Sequence, residues 1–127
     1  MRVPPYQGRA EAVRIEYRAP DSACNPYLAF SVMLAAGMKG VEEGYDLGDP
    51  VTTDIDSMSP SERVEAGISK LPSNLGQALE LLRESELVRE ALGESIFDNF
   101  VRNKEIEWRE FESTVTEYEV DRYLKVL

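Results

Sequence analysis

The spacing of apolar positions changes character near residue 25. Before it, Val13, Ile15 and Tyr17 alternate with Arg14, Glu16 and Arg18, the period-two pattern of an extended strand with one apolar and one polar face. That pattern predicts a strand over 12–18, entered from a loop at 3–10 that carries Pro4, Pro5 and Gly8. Asn25 followed by Pro26 then marks a helix start, with a capping side chain ahead of a proline at the first helical position. From Tyr27 to Lys39 nearly every residue is apolar or small, which predicts a helix buried on most sides and closed by Gly40 and Gly44. Val13, Ile15 and Tyr17 of the strand are expected to pack on the Tyr27–Met38 stretch of this helix.

Residues 45–59 are rich in Asp, Gly, Pro, Ser and Thr and read as an exposed loop. A short helix at about 60–66 follows Ser59-Pro60. Leu75, Ala78, Leu79 and Leu82 share one helical face, and Leu87, Val88, Ala91 and Leu92 mark a second short helix ending at Gly93. Phe97, Phe100, Val101, Lys104, Trp108 and Phe111 define a longer one. Thr116 and Glu119 form a capping box at the head of a last element, 116–127, whose apolar stripe is Val120, Tyr123, Leu124 and Leu127. So short a helix is marginal alone and has to dock, either on the long helix before it or on another chain. The fold class that emerges is α+β and mainly helical, with one or two N-terminal strands and five or six helices from about residue 26 onward. There is no internal repeat and no low-complexity tract.

At 127 residues and 43 % hydrophobic content, the chain is long enough for a core of its own and too apolar for wholesale disorder. Its net charge is −10, which argues against nucleic acid and anionic membranes as partners. The charge is uneven. Residues 1–18 hold Arg2, Arg9, Arg14 and Arg18 against Glu11 and Glu16, so the basic end is where an anionic ligand belongs. Histidine is absent, which removes His-based catalysis and the usual zinc sites. The single cysteine, Cys24, allows no intrachain disulfide and reads as a small packing residue beside the helix start. Met1–Pro5 has no apolar segment of the signal-peptide kind, and Tyr27–Met38 is too short to span a bilayer. These features predict a soluble cytoplasmic protein.

The chemistry concentrates in Arg14-Ile15-Glu16-Tyr17-Arg18. In a strand the three polar side chains share a face and stand roughly 6–7 Å apart. That is too far for ideal direct pairing and about right for a ligand lying across them. A hard oxygen ligand for a divalent cation, flanked by guanidinium forks for phosphate or carboxylate, suits phosphoryl transfer. The alternative is an ion-pair ladder with charged neighbours on an adjacent strand.

This segment continues into Ala19-Pro20-Asp21, Asn25-Pro26-Tyr27-Leu28-Ala29-Phe30 and Met33-Leu34-Ala35-Ala36-Gly37. Together they resemble the C-terminal part of the catalytic domain of type I glutamine synthetases. The stretch Leu71-Pro72-Ser73-Asn74-Leu75 with Ala78-Leu79, and the tail from Phe97 through Trp108 to Tyr123-Leu124, extend the resemblance over essentially residues 1–127. It implies an ATP-dependent ligase that forms glutamine from glutamate and ammonia through a γ-glutamyl phosphate, with Mg2+ or Mn2+ as cofactor.

By the same resemblance Glu16 matches a metal ligand, and Arg18 matches the arginine that contacts glutamate and the transferring phosphoryl group. Arg14 and Arg2 match positions near ATP. The strand 12–18 would belong to a larger catalytic sheet, and helix 116–127 would dock into a neighbouring subunit of a double-ring homo-oligomer. Asp56 falls where many bacterial members carry the adenylylated tyrosine, which argues against that form of control. The family's other metal ligands, its nucleotide segment and its gating loop lie N-terminal to Arg2, so the chain alone is expected to be catalytically incomplete. Two alternatives stay open: a truncated relative that docks into such rings without catalysis, and a related γ-glutamyl-amine ligase.

Overall fold

The structure, a computed structural model, describes residues 2–4, 8 and 13–126. Among the described residues six α-helices follow one another: α1 Pro26–Glu42, α2 Pro60–Glu65, α3 Leu75–Glu84, α4 Glu86–Leu92, α5 Glu94–Ser113 and α6 Glu117–Tyr123, with a short 3-10 turn at Ile55–Ser57. All but α5 begin where a side chain can satisfy amides that lack an intrahelical partner. Asn25 Oδ1 accepts from the amides of Tyr27 and Leu28 ahead of α1. Asn74 Oδ1 accepts from Gln77 N, and Ser85 Oγ from Val88 N. Reciprocal capping boxes hold α2 (Ser59 with Glu62) and α6 (Thr116 with Glu119). Only α5 lacks a side-chain cap, because Gly93 stands there instead.

Gly93 serves two helices at once. It closes α4, donating its amide to Arg89 O, and it accepts from Phe97 N as the residue that opens α5. Its φ of 74° with ψ of 150° is backbone space that essentially only glycine occupies without strain.

The packing is a chain of pairs: α1 lies on α4, and α4 and α3 both lie on α5. The core sits between α3 and α5 and consists of Leu79, Phe97 and Val101. Arg89 of α4 covers the Phe97 ring at 4.1 Å from its centroid, its charge anchored by Asp98. Where α3 meets the far half of α5, Gly76 lets the indole of Trp108 come so near that a Cβ there would stand 2.8 Å from the ring. Arg83 and Glu105 pair across the same two helices.

Three expectations are corrected. The strand over 13–18 does not form among the described residues, and residue 12 lies outside them. What is present is one antiparallel bridge, Arg2 with Glu16, whose two backbone hydrogen bonds are both 2.8 Å. A lone extended segment has no neighbour with which to build a ladder. The helix α1 is not buried on most sides. Tyr27, Phe30, Leu34 and Val41 stand open on its outer side, while α4 and the start of the chain face its other side. Finally, Val13, Ile15 and Tyr17 do not close onto α1. Ile15 and Tyr17 line a groove of about 860 Å³ with Leu28, Val32, Met33 and Phe100, and all three remain more than half exposed.

The stripe on α6 does not fold back onto α5: Val120, Tyr123 and Leu124 are exposed. Leu127, its fourth member, lies outside the described residues, as do Pro5 and most of the predicted N-terminal loop.

Candidate anion-binding site

The extended segment 13–18 ends in a turn. Past Pro20 the chain turns over Asp21 to Cys24, with the Asp21 carboxylate accepting from Ala23 N at 2.7 Å and the Asp21 carbonyl from Cys24 N at 3.1 Å. This turn delivers the chain to Asn25 and α1, so the cluster at 14–18 has a defined position relative to the helix. Cys24 sits in the turn as a free, exposed thiol on the groove wall, not as the packing residue expected.

Glu16 is the centre of the cluster. Arg18 Nε donates to its Oε1, and Arg2 Nη1 lies 3.5 Å from its Oε2. The backbone bridge between residues 2 and 16 fixes where the Arg2 side chain starts. Arg14 lies close enough for its charge to act on the same carboxylate. Held mainly by the Arg18 hydrogen bond, against some loss of solvation and with further help from the Arg18, Arg2 and Arg14 charges, the Glu16 carboxyl lies below the ordinary carboxylate range. It is ionised at neutral pH. Three guanidinium groups around one carboxylate leave a local excess of positive charge.

All four residues singled out in the sequence are therefore brought to one place, but not in the arrangement their spacing predicted. A separation of 6–7 Å along the chain was expected to keep Glu16 and Arg18 apart; the long arginine side chain spans it, and they pair directly. The Arg2 contact comes from 14 residues away, a distance over which no local periodicity carries information.

The cluster does not amount to a metal centre. Magnesium prefers about six oxygen ligands in near-octahedral array, whereas no group of three His, Cys, Asp or Glu side chains gathers to hold an ion among the described residues. Glu16 fits the part of one ionised ligand, and nothing more of a metal site is supplied here. The fit of the cluster as a whole is to an anion: planar guanidinium forks gathered around a single negative charge.

Residues 1–123 match the family described as glutamine synthetase, catalytic domain. The chain belongs to that family. It is similar to the glutamine synthetase of Mycolicibacterium smegmatis, with 50 % identity over 127 residues, covering 99 % of this chain and 28 % of the relative. The glutamine synthetase of Methanococcus maripaludis is 45 % identical over 126 residues, again covering 99 % of this chain and 28 % of the relative. Among solved structures, apo GmaS without ligand superposes with a TM-score of 0.68 at 34 % identity, over 84 % of this chain and 24 % of that one. The chain thus spans little more than a quarter of the length of the relatives it matches. No helix among the described residues is long and apolar enough to cross a membrane.

Proposed function

We propose that these 127 residues are the C-terminal part of the catalytic domain of a glutamine synthetase. The complete enzyme would join glutamate and ammonia at the expense of ATP. ATP phosphorylates the side-chain carboxylate of glutamate, and ammonia then displaces phosphate from the acyl phosphate. The reading rests on the arginine cluster around ionised Glu16, within a chain that matches the family along nearly its whole length.

In this scheme Arg18 holds the substrate carboxylate and the phosphoryl group in transfer. Charge that spreads over the phosphoryl oxygens is what a preorganised guanidinium fork stabilises. Arg14 and Arg2 add positive charge on the nucleotide side, where ATP brings several negative charges together. Glu16 supplies one ligand to a divalent cation, Mg2+ or Mn2+, whose other ligands come from outside these residues; when bound, such an ion neutralises polyphosphate charge. The same reading takes the enzyme to be cytoplasmic, in keeping with an exposed free thiol, and to assemble as a double-ring homo-oligomer. Asp56 in the 3-10 turn leaves no tyrosine to adenylylate at that position.

The test is Glu16→Ala in the complete enzyme. Turnover should fall at least about a hundredfold, the scale of losing a charged group that organises a transition state, while the melting curve stays close to wild type because the side chain is at the surface. Arg18→Lys should be costly too, since one ammonium cannot replace a bidentate fork. The 127 residues alone should give no turnover. Near-wild-type activity of Glu16→Ala at low magnesium would overturn the assignment and leave Glu16 as a structural ion-pair partner.

A further inference from the structure

Residues 19–25 join Arg18 to the start of α1, and neither a helix nor a sheet holds them. Their shape comes from a few fixed joints. Pro20 sets its own φ and keeps Ala19 extended. Asp21 then holds the turn twice, its Oδ1 accepting from Ala23 N at 2.7 Å and its carbonyl from Cys24 N at 3.1 Å. Asn25 takes over next, its Oδ1 accepting from Tyr27 N at 3.0 Å and Leu28 N at 3.4 Å. The helix it opens is seated on α4. The backbone at Arg18 is thus tied to the helical body by a short link whose middle joint is the Asp21 side chain.

That side chain does nothing else here. Among the described residues Asp21 makes no ion pair, and Ala23 N is the one donor to its carboxylate. An aspartate that bonds the amide two residues on imitates a backbone turn and fixes the direction of the chain. The bond is local, so it stands whatever ligand occupies the neighbouring cluster and whatever partner Glu16 takes.

We infer that Asp21 is a positioning residue, whose turn bond sets where the Arg18 guanidinium is presented to the substrate. The inference rests on the assignment of Arg18 under the proposed function and adds to it a residue that touches no substrate. Misplacing a contacting group by about 1 Å can lower a rate on the order of a hundredfold. A guanidinium fork is especially sensitive, because two donors have to line up at once.

The experiment compares Asp21→Ala with Asp21→Asn in the complete enzyme, at a temperature below the melting midpoint of every variant. The asparagine keeps an acceptor oxygen at the same reach and loses the charge; the alanine loses both. In Asp21→Ala, kcat/KM for glutamate should fall about ten- to hundredfold, while Asp21→Asn should stay within about threefold of wild type. In the Arg18→Lys background the further change Asp21→Ala should lower kcat/KM by less than about threefold, because a residue that acts through Arg18 has little left to act on. In this chain the Ala23 amide proton resonance should move toward its unbonded position in Asp21→Ala and hold in Asp21→Asn. Full kcat/KM in Asp21→Ala, or an equal loss in both variants, overturns the positioning role and leaves Arg18 where it is. So does a loss from Asp21→Ala that persists undiminished in the Arg18→Lys background. Wild-type activity of Arg18→Lys itself would remove the role proposed for Arg18, and this inference with it.

Discussion

Gly76 shows how much one missing methyl can decide. The α3–α5 contact depends on the Trp108 indole lying against a backbone with no side chain. A Cβ at residue 76 would meet ring atoms at 2.8 Å, and the ring is a rigid body stacked on Phe111 at 5.7 Å. Gly76→Ala should therefore destabilise the chain by about 1–3 kcal/mol, the usual cost of overpacking, even though alanine is the better helix former. Thermal melting read by Trp108 fluorescence would check this: a lower midpoint with a shifted emission maximum is the expected result. Nothing in the sequence marks Gly76 as a contact point, since it falls between Leu75 and Gln77 in an otherwise ordinary helix start. The cluster around Glu16 was more legible. Arg14, Glu16 and Arg18 could be singled out from their alternation alone, and Arg2 through the family resemblance. Their direct pairing could not be read, because it depends on side-chain reach and on a bridge across 14 residues.

At the scale of elements, helix starts were the most readable feature. Asn25-Pro26, Ser59-Pro60 and Thr116 with Glu119 each carry their own cap chemistry, and each opens a helix. Those signals are local, so the surroundings do not override them. Burial was the least readable. The alternating segment 13–18 and the apolar helix α1 both carry patterns that call for neighbours on two sides, and the described residues provide them on one. The capping boxes also carry a pH dependence. Hydrogen bonds from the side chain and backbone of Ser59 lower the Glu62 carboxyl below its ordinary 4.5, and the Thr116 backbone and hydroxyl do the same for Glu119. A folded-state value below the unfolded one means that the contribution is complete above about pH 4.5. It is lost as pH falls through the lowered values. An acid titration followed by far-UV circular dichroism should show helix loss beginning below pH 4.5. In Glu62→Gln with Glu119→Gln that phase should shrink, because an amide keeps the shape of the cap without its charge. An unchanged acid transition would show that the boxes do not carry it.

For the molecule as a whole, the telling comparison is between three buried apolar residues and the many left open. The outer side of α1, the groove beside it and the stripe on α6 are more apolar surface than a chain of this length leaves uncovered when nothing else packs on it. At roughly 1.5–3 kcal/mol for each large side chain fully buried, docking of Val120, Tyr123 and Leu124 is worth several kcal/mol. On the double-ring reading proposed above, deleting residues 116–127 from the complete enzyme should break the large assembly into smaller rings while each subunit keeps its fold. Light scattering would show the drop in particle mass; an unchanged mass would mean that the stripe docks within its own subunit.

Gly93 has a different kind of consequence, one of sequence length. With one residue closing α4 and opening α5, and Ser85 serving in the same way between α3 and α4, the run from Asn74 to Thr114 has no slack. One extra residue within a helix here would turn everything beyond it by about 100°. Phe97 would leave the core, and Leu92 and Phe100 would no longer face the same groove. Insertions and deletions are thus confined to segments such as 44–54, where the chain runs over the surface. The span from α3 to α5 can change its residues but not its count.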